Sequence, residues 1–351
     1  MSHVTRTWFR WLERLYTGYF ASVMATGIVS IALLLSHATQ LSTALLVIGC
    51  FLLAALVVVY LWRVLQFPNA TKSDLSSAGK VFTFFTIVAA FGVMATRFSL
   101  SGIYPAAVVF TLVAAVVWTL LIYWAFAVLL VKNEIPLDHA VNGAWLTAVV
   151  GTESLAITWV LLDNQLPMSR DLLQLLSYVF WTIGILLYIV FIVFIVYRFL
   201  FGRNHASDLT PPYWINMGAM AITTVAGTRL LLIATPGRFL ISVRPFIEGL
   251  TVAMWAWGTW WIPLLLVIGI WKTFIAKDPL RYDPALWSMV FPLGMYATAV
   301  QLLAKIPGLT MLAAIGPVCT WIAFTVWVIV ALGWLWSIRT ALLSKPETVA
   351  V

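Results

Sequence analysis

Ten continuous apolar runs occupy most of this chain, over residues 18–36, 41–62, 82–98, 105–131, 142–162, 172–200, 214–235, 244–275, 285–305 and 311–340. Each is bounded by polar residues or by Pro and Gly. A helix that crosses a bilayer needs roughly 20 apolar residues. A membrane β-barrel would instead alternate polar and apolar residues over segments of about ten. The chain is therefore read as an all-α polytopic membrane protein. One membrane domain, 18–340, lies between short tails, 1–17 and 341–351. The longest polar stretches are Arg63–Lys80 and Phe201–Tyr213, and neither looks like a domain boundary. Ser36-His37-Ala38 at the end of the first run loosely resembles a signal-peptidase site, but that run carries one copy of an internal repeat and so belongs to the body.

Of the 351 residues, 63% are hydrophobic and 9% are charged. Soluble domains carry about 25% charge, so a soluble enzyme, a disordered chain and a disulfide-stapled secreted domain are excluded. The net charge of +8 would suggest nucleic acid on a soluble chain. Here it reflects basic residues retained in the cytoplasm. Fourteen Lys and Arg fall on the side shared by both termini, and six fall on the other side or inside spans. That predicts a plasma-membrane protein with both termini cytoplasmic and no nucleic-acid partner. Cys50 and Cys319 are too far apart to suggest a metal site. His3, His37, His139 and His205 all lie in polar segments. An intramembrane haem or metal centre therefore lacks ligands, and no cofactor is implied.

An internal repeat organises the spans. Ser22-Val23-Met24-Ala25-Thr26 in span 1 nearly recurs as Gly92-Val93-Met94-Ala95-Thr96 in span 3. Gly151-Thr152, Gly227-Thr228 and Ala297-Thr298 continue the pattern in spans 5, 7 and 9, with steps of 70, 56, 76 and 70 residues between the threonines. Each two-helix hairpin then reads as one unit. Parallel repeats are related by an axis along the membrane normal, which places five hairpins around a pseudo-fivefold central pore. Four residues before each Thr, on the same helix face, stand Ser22, Gly92, Ala148, Thr224 and Gly294. Small and hydroxyl residues on five inner helices suit a narrow pore lined by Thr26, Thr96, Thr152, Thr228 and Thr298. They suit close helix packing as well, and the sequence leaves both readings open.

One position beyond those threonines are Arg97, Glu153 and Arg229. Charges inside a membrane are costly and mark function by default. The repeat predicts one charged tier, with Glu153 between the two arginines. The alternative for each is an ion pair that fixes helix register, or an arginine that snorkels to the surface. In span 9, Phe291 precedes Pro292 and falls near the same face as Thr298. A proline can kink the helix there and swing the ring inward to occlude the pore. The alternative is an ordinary core phenylalanine.

These residues resemble the tellurite-resistance/C4-dicarboxylate transporter family, which includes guard-cell slow anion channels and malic acid transport proteins. The matching stretches are Gly18–Gly27, Trp145–Ala156, Trp214–Ala219 and Trp287–Thr298, in that order, within a resemblance from about residue 15 to about 340. The resemblance implies ten helices in five hairpins, a pseudo-fivefold inner ring, homotrimers with one pore per protomer, and a phenylalanine gate at the position of Phe291. Family pore helices are often kinked by proline. Here only span 9 has one centrally, and spans 1, 3, 5 and 7 carry Gly27, Gly92, Gly151 and Gly218. The expected function is passage of small anions such as chloride, nitrate or malate across the lipid bilayer. Arg97 and Arg229 would favour anions, and Glu153 would orient them or titrate. The rival is a proton-coupled carrier of C4-dicarboxylates that uses Glu153. A membrane-embedded enzyme is the distant alternative, since the acidic residues of the loops occur singly, without the paired carboxylates such chemistry needs.

Overall fold

The computed structural model describes residues 10–132, 136, 140–163, 165–202, 208–277 and 282–343. His3, His139, His205 and most of both tails lie outside them. Among the described residues there are ten helices of 15 residues or more, and short and long ones alternate. The short ones are α1 (Ala21–Leu35), α3 (Phe85–Ser99), α5 (Thr147–Leu161), α7 (Ile215–Leu231) and α9 (Trp287–Leu303). The long ones are α2 (Thr39–Gln66), α4 (Tyr104–Val131), α6 (Arg170–Phe201), α8 (Arg238–Ile270) and α10 (Ile315–Leu343). Eight of the ten, including 3₁₀ or π turns continuous with them, are long and apolar enough to cross a bilayer. The others are α1, which is short, and α7, which carries Asn216, several threonines and Arg229.

Local chemistry sets the helix starts. Asn142 and Asp283 accept from the backbone N–H of Ala144 (2.9 Å) and Ala285 (2.7 Å), capping the 3₁₀ turns Gly143–Leu146 and Pro284–Leu286. These turns lead straight into α5 and α9. Ser169 caps α6 by accepting from Leu172 N. Proline stands in the first turn of α4, where its missing N–H costs nothing.

Each short helix packs against the long one that follows it, giving five hairpins. The short helices also touch one another in the order α1, α3, α5, α7, α9 and back to α1, which closes a ring. Burial separates the two sets. The most apolar stretch of Gly143–Leu161 is 94% buried, whereas that of Arg238–Ile275 is 17% buried. Ring helices face protein on all sides. The long helices bury a stripe and expose large apolar residues such as Phe51, Tyr123 and Trp260, as lipid contact requires.

Candidate functional site

A cavity sits inside the ring, and all five short helices line it. Each contributes two residues three positions apart: Ile28 and Ile31, Val93 and Thr96, Ser154 and Ile157, Ile222 and Val225, Met295 and Thr298. Arg229, one turn beyond Val225, completes the lining. The volume is about 10 Å³, near the minimum that holds one water. The shared spacing gives a structural register for the five helices. From Ile28 to Val93, Ser154, Ile222 and Met295 the steps are 65, 61, 68 and 73 residues. These differ from the threonine-to-threonine steps, so residues that align on the threonines do not occupy equivalent places in the ring.

In this register Gly27, Gly92, Glu153, Ala221 and Gly294 are equivalent. The position faces the next helix of the ring. A Cβ on Gly27 would lie 2.8 Å from Val93 Cγ1 on α3, and one on Gly294 would lie 2.9 Å from Ile28 Cγ2 on α1. A Cβ on Gly92 would strike Ser154 on α5. Small side chains here let neighbouring backbones approach, so Gly92 and Gly294 serve the packing of the ring.

Glu153 is the exception at this position. It also reaches the next helix, where Thr223 Oγ1 on α7 donates to Glu153 Oε1 at 3.0 Å. Space for the carboxyl comes from Gly184 on α6, where any Cβ would collide with it. Glu153 is fully buried, and its Oε2 has no hydrogen-bond partner. It does not line the cavity.

The two arginines part in the same way. Arg97 is buried between α3, α1 and α2 in a cage of serines. Nε donates to Ser30 Oγ (2.9 Å), Nη2 to Ser42 Oγ (3.0 Å) and Nη1 to Ser101 Oγ. Arg229 lines the cavity, and its Nε is buried without a partner. Neither arginine forms an ion pair with Glu153, whose only hydrogen-bond partner among the described residues is Thr223. The single charged tier expected from sequence is therefore three separate sites, because the threonine alignment shifts register between hairpins.

The threonines divide too. Thr96 and Thr298 line the cavity. Thr26 and Thr152 are equivalent to each other and turn to the long helices. The indole N–H of Trp327 on α10 donates to Thr26 Oγ1 (3.0 Å), and that of Trp118 on α4 to Thr152 Oγ1 (2.7 Å). Ser22 and Ala148 sit one turn before these two, are also buried, and are absent from the lining. Thr224 and Thr228 donate to carbonyls of their own helix, at Met220 and Thr224, and lie outside the lining.

Phe291 precedes the cavity residue Met295 by one turn on α9. The equivalent positions hold Met24, Ala89, Val150 and Gly218. All five are buried, and Phe291 is the only aromatic residue. Beside it, a Cβ on Gly218 would lie 2.8 Å from Pro292 Cγ, so α7 and α9 approach closely at this level.

A larger cavity of about 620 Å³ opens at the starts of the ring helices. Thr17, Thr83, Ala144, Pro212 and Ala285 line it, one from the approach to each ring helix. On its wall, Arg63 donates to Asp74 Oδ2 (2.6 Å) and to the carbonyls of Leu12 (3.1 Å) and Glu13 (2.9 Å). Lys80 donates to Asp74 Oδ1 at 2.8 Å. Burial, reinforced by the nearby Asp283, pushes the Tyr16 phenol at the rim up to about 12, so it stays neutral. Along α9 the order is Ala285 at this vestibule, Phe291, then Met295 at the inner cavity.

Five helical hairpins ringed around a cavity define a polytopic helical membrane protein, and sequence comparison supplies the family. Residues 14–335 match the voltage-dependent anion channel family, SLAC1, and the chain belongs to that family. An uncharacterized membrane protein of Mycobacterium tuberculosis is 40% identical over 135 residues, covering 38% of this chain and 68% of the relative. Two uncharacterized transporters of Methanocaldococcus jannaschii align over nearly the whole length. One is 24% identical over 332 residues (91% of this chain, 93% of the relative), and the other 26% over 327 (91% and 92%).

Sequence reasoning found Thr96, Thr298 and Arg229 and missed the other eight cavity residues, seven of them apolar and the eighth Ser154. A usable signal was present. Aligning the helices on Gly27, Gly92, Glu153, Ala221 and Gly294 recovers the register, and Leu35, Leu100, Leu161 and Leu302 then fall together eight residues on, with Arg229 at that place in α7.

Proposed function

We propose that the chain conducts small anions along the axis of the five-helix ring, from the vestibule past Phe291 to the cavity at Arg229. The observation that carries this reading is the cavity itself. Every ring helix contributes to it, it is apolar and narrow, and its one charged lining residue is a cation. The starts of the five ring helices meet at the vestibule, and helix N-termini favour negative charge. Phe291 is the gate, since at its level of the ring the other four helices carry Met24, Ala89, Val150 and Gly218, none of them aromatic. The protein works in the plasma membrane as ten crossings with both termini cytoplasmic, as a homotrimer with one pore per protomer. It needs no cofactor and is not an enzyme, because a permeant ion requires only a lined path. The proton-coupled C4-dicarboxylate carrier is the weaker reading, since Glu153 lies in a seam between α5, α6 and α7 rather than in the lining.

The test is bilayer recording of purified wild type beside Phe291→Ala, with chloride, nitrate and malate gradients. Lowering a barrier by about 1.4 kcal/mol raises a rate tenfold, and removing the ring should achieve at least that. Anion currents no larger in Phe291→Ala than in wild type would overturn the gate.

A further inference from the structure

Arg229 occupies a position that the other four ring helices give to leucine: Leu35, Leu100, Leu161 and Leu302. One guanidinium therefore stands in an otherwise apolar tier at the end of the cavity. Its Nε is buried with nothing to donate to. Buried donors are almost always paired, and leaving one on a charged group unpaired is expensive. The other charged residues of the ring helices answer this requirement locally, Arg97 with three serines and Glu153 in part with Thr223. The neighbouring hydroxyls do not answer it for Arg229. Thr96, Thr298 and Ser154 donate to carbonyls of their own helices, those of Gly92, Gly294 and Gly151.

We infer that Arg229 forms a resident anion site within the pore, which holds one small monovalent anion, stripped of most of its water, against the Nε–H. The inference rests on the proposed conduction along the ring axis. The cavity has room for about one water-sized particle, so the anion leaves its hydration shell at the threshold. The guanidinium replaces part of that shell. A dicarboxylate does not fit the site, because it brings two charges to one cation and a carbon chain to a space of about 10 Å³.

The tier also supplies the variant for a test. Arg229→Leu repeats the residue of the four sister helices, so it fits the space. The experiment is thermal unfolding of the purified full chain in detergent, titrated with sodium chloride, nitrate or malate against sodium gluconate at matched ionic strength. Chloride and nitrate should raise the Tm of wild type, and malate should not. Arg229→Leu should lose the chloride response and be the more stable protein in gluconate, since it no longer buries an unpaired donor. Lys305→Gln, which removes an exposed cation beyond the end of α9, should keep the full response. Should Arg229→Leu fail to fold, Arg229→Lys decides. It keeps the charge without the Nε–H, and its chloride midpoint should rise about tenfold, the loss expected for one charged hydrogen bond.

A chloride response that survives in Arg229→Leu, or an unchanged midpoint in Arg229→Lys, overturns the site. Stabilisation by malate that depends on Arg229 overturns its selectivity. Arg229-dependent chloride binding without any current in Phe291→Ala would sustain this site and sink the channel reading. Currents without Arg229-dependent binding would do the reverse.

Discussion

At the level of single residues, three charges that are close in sequence register have three different roles. Arg97 is satisfied by Ser30, Ser42 and Ser101 from three segments, and so ties α3 to the first hairpin. Removing it leaves those hydroxyls short of a donor. Arg97→Met should cost about 2 kcal/mol of stability, the scale of lost charged hydrogen bonds, and leave the chloride response of Arg229 in place. Loss of that response with the fold intact would assign Arg97 to the path. Glu153 and Gly184 form a complementary pair, a large residue where the ring expects a small one and a hole in the neighbour that admits it. Gly184→Ala should destabilise by about 1–3 kcal/mol, the usual cost of overpacking. In the double variant with Glu153→Ala most of that loss should vanish, because the two sites are in contact. Additive losses, read as Tm by circular dichroism, would contradict the pairing.

At the level of helices, Thr26–Trp327 and Thr152–Trp118 are one contact repeated. Each joins a ring helix to the long helix of the hairpin before it. Trp118→Phe and Trp327→Phe should each cost about 1 kcal/mol, the net worth of one buried hydrogen bond, and their effects should add across separate hairpins. Strong non-additivity in denaturation would mean that the hairpins are not independent units. The repeat was legible in the sequence because hydroxyls and small residues recur once per hairpin. Its phase was not. A Thr in a ring helix can turn inward, as Thr96 and Thr298 do, or outward to an indole, as Thr26 and Thr152 do, and both surroundings select the same residue type. Span limits were readable to within a few residues because apolar length fixes them. The run read as 244–275 begins earlier in the structure, where α8 starts at Arg238. Arg244, inside that helix, donates to Leu231 O at the end of α7.

For the molecule as a whole, the closed contact order α1–α3–α5–α7–α9–α1 leaves one axial space. The composition and family resemblance foretold a polytopic helical transport protein. The ring's lining could not be foretold, since apolar residues such as Ile28 and Met295 look no different from those that face lipid. The central claim is that ions move along this axis. It predicts that inward and outward threonines differ in access to a reagent carried down the pore. In a Phe291→Ala background with Cys50 and Cys319 replaced by alanine, Thr298→Cys and Thr26→Cys would be compared. Each would be treated with a small charged methanethiosulfonate during bilayer recording. Current through Thr298→Cys should fall by most of its value, and current through Thr26→Cys should not change. Block at Thr26→Cys with none at Thr298→Cys would place the conduction path outside the ring.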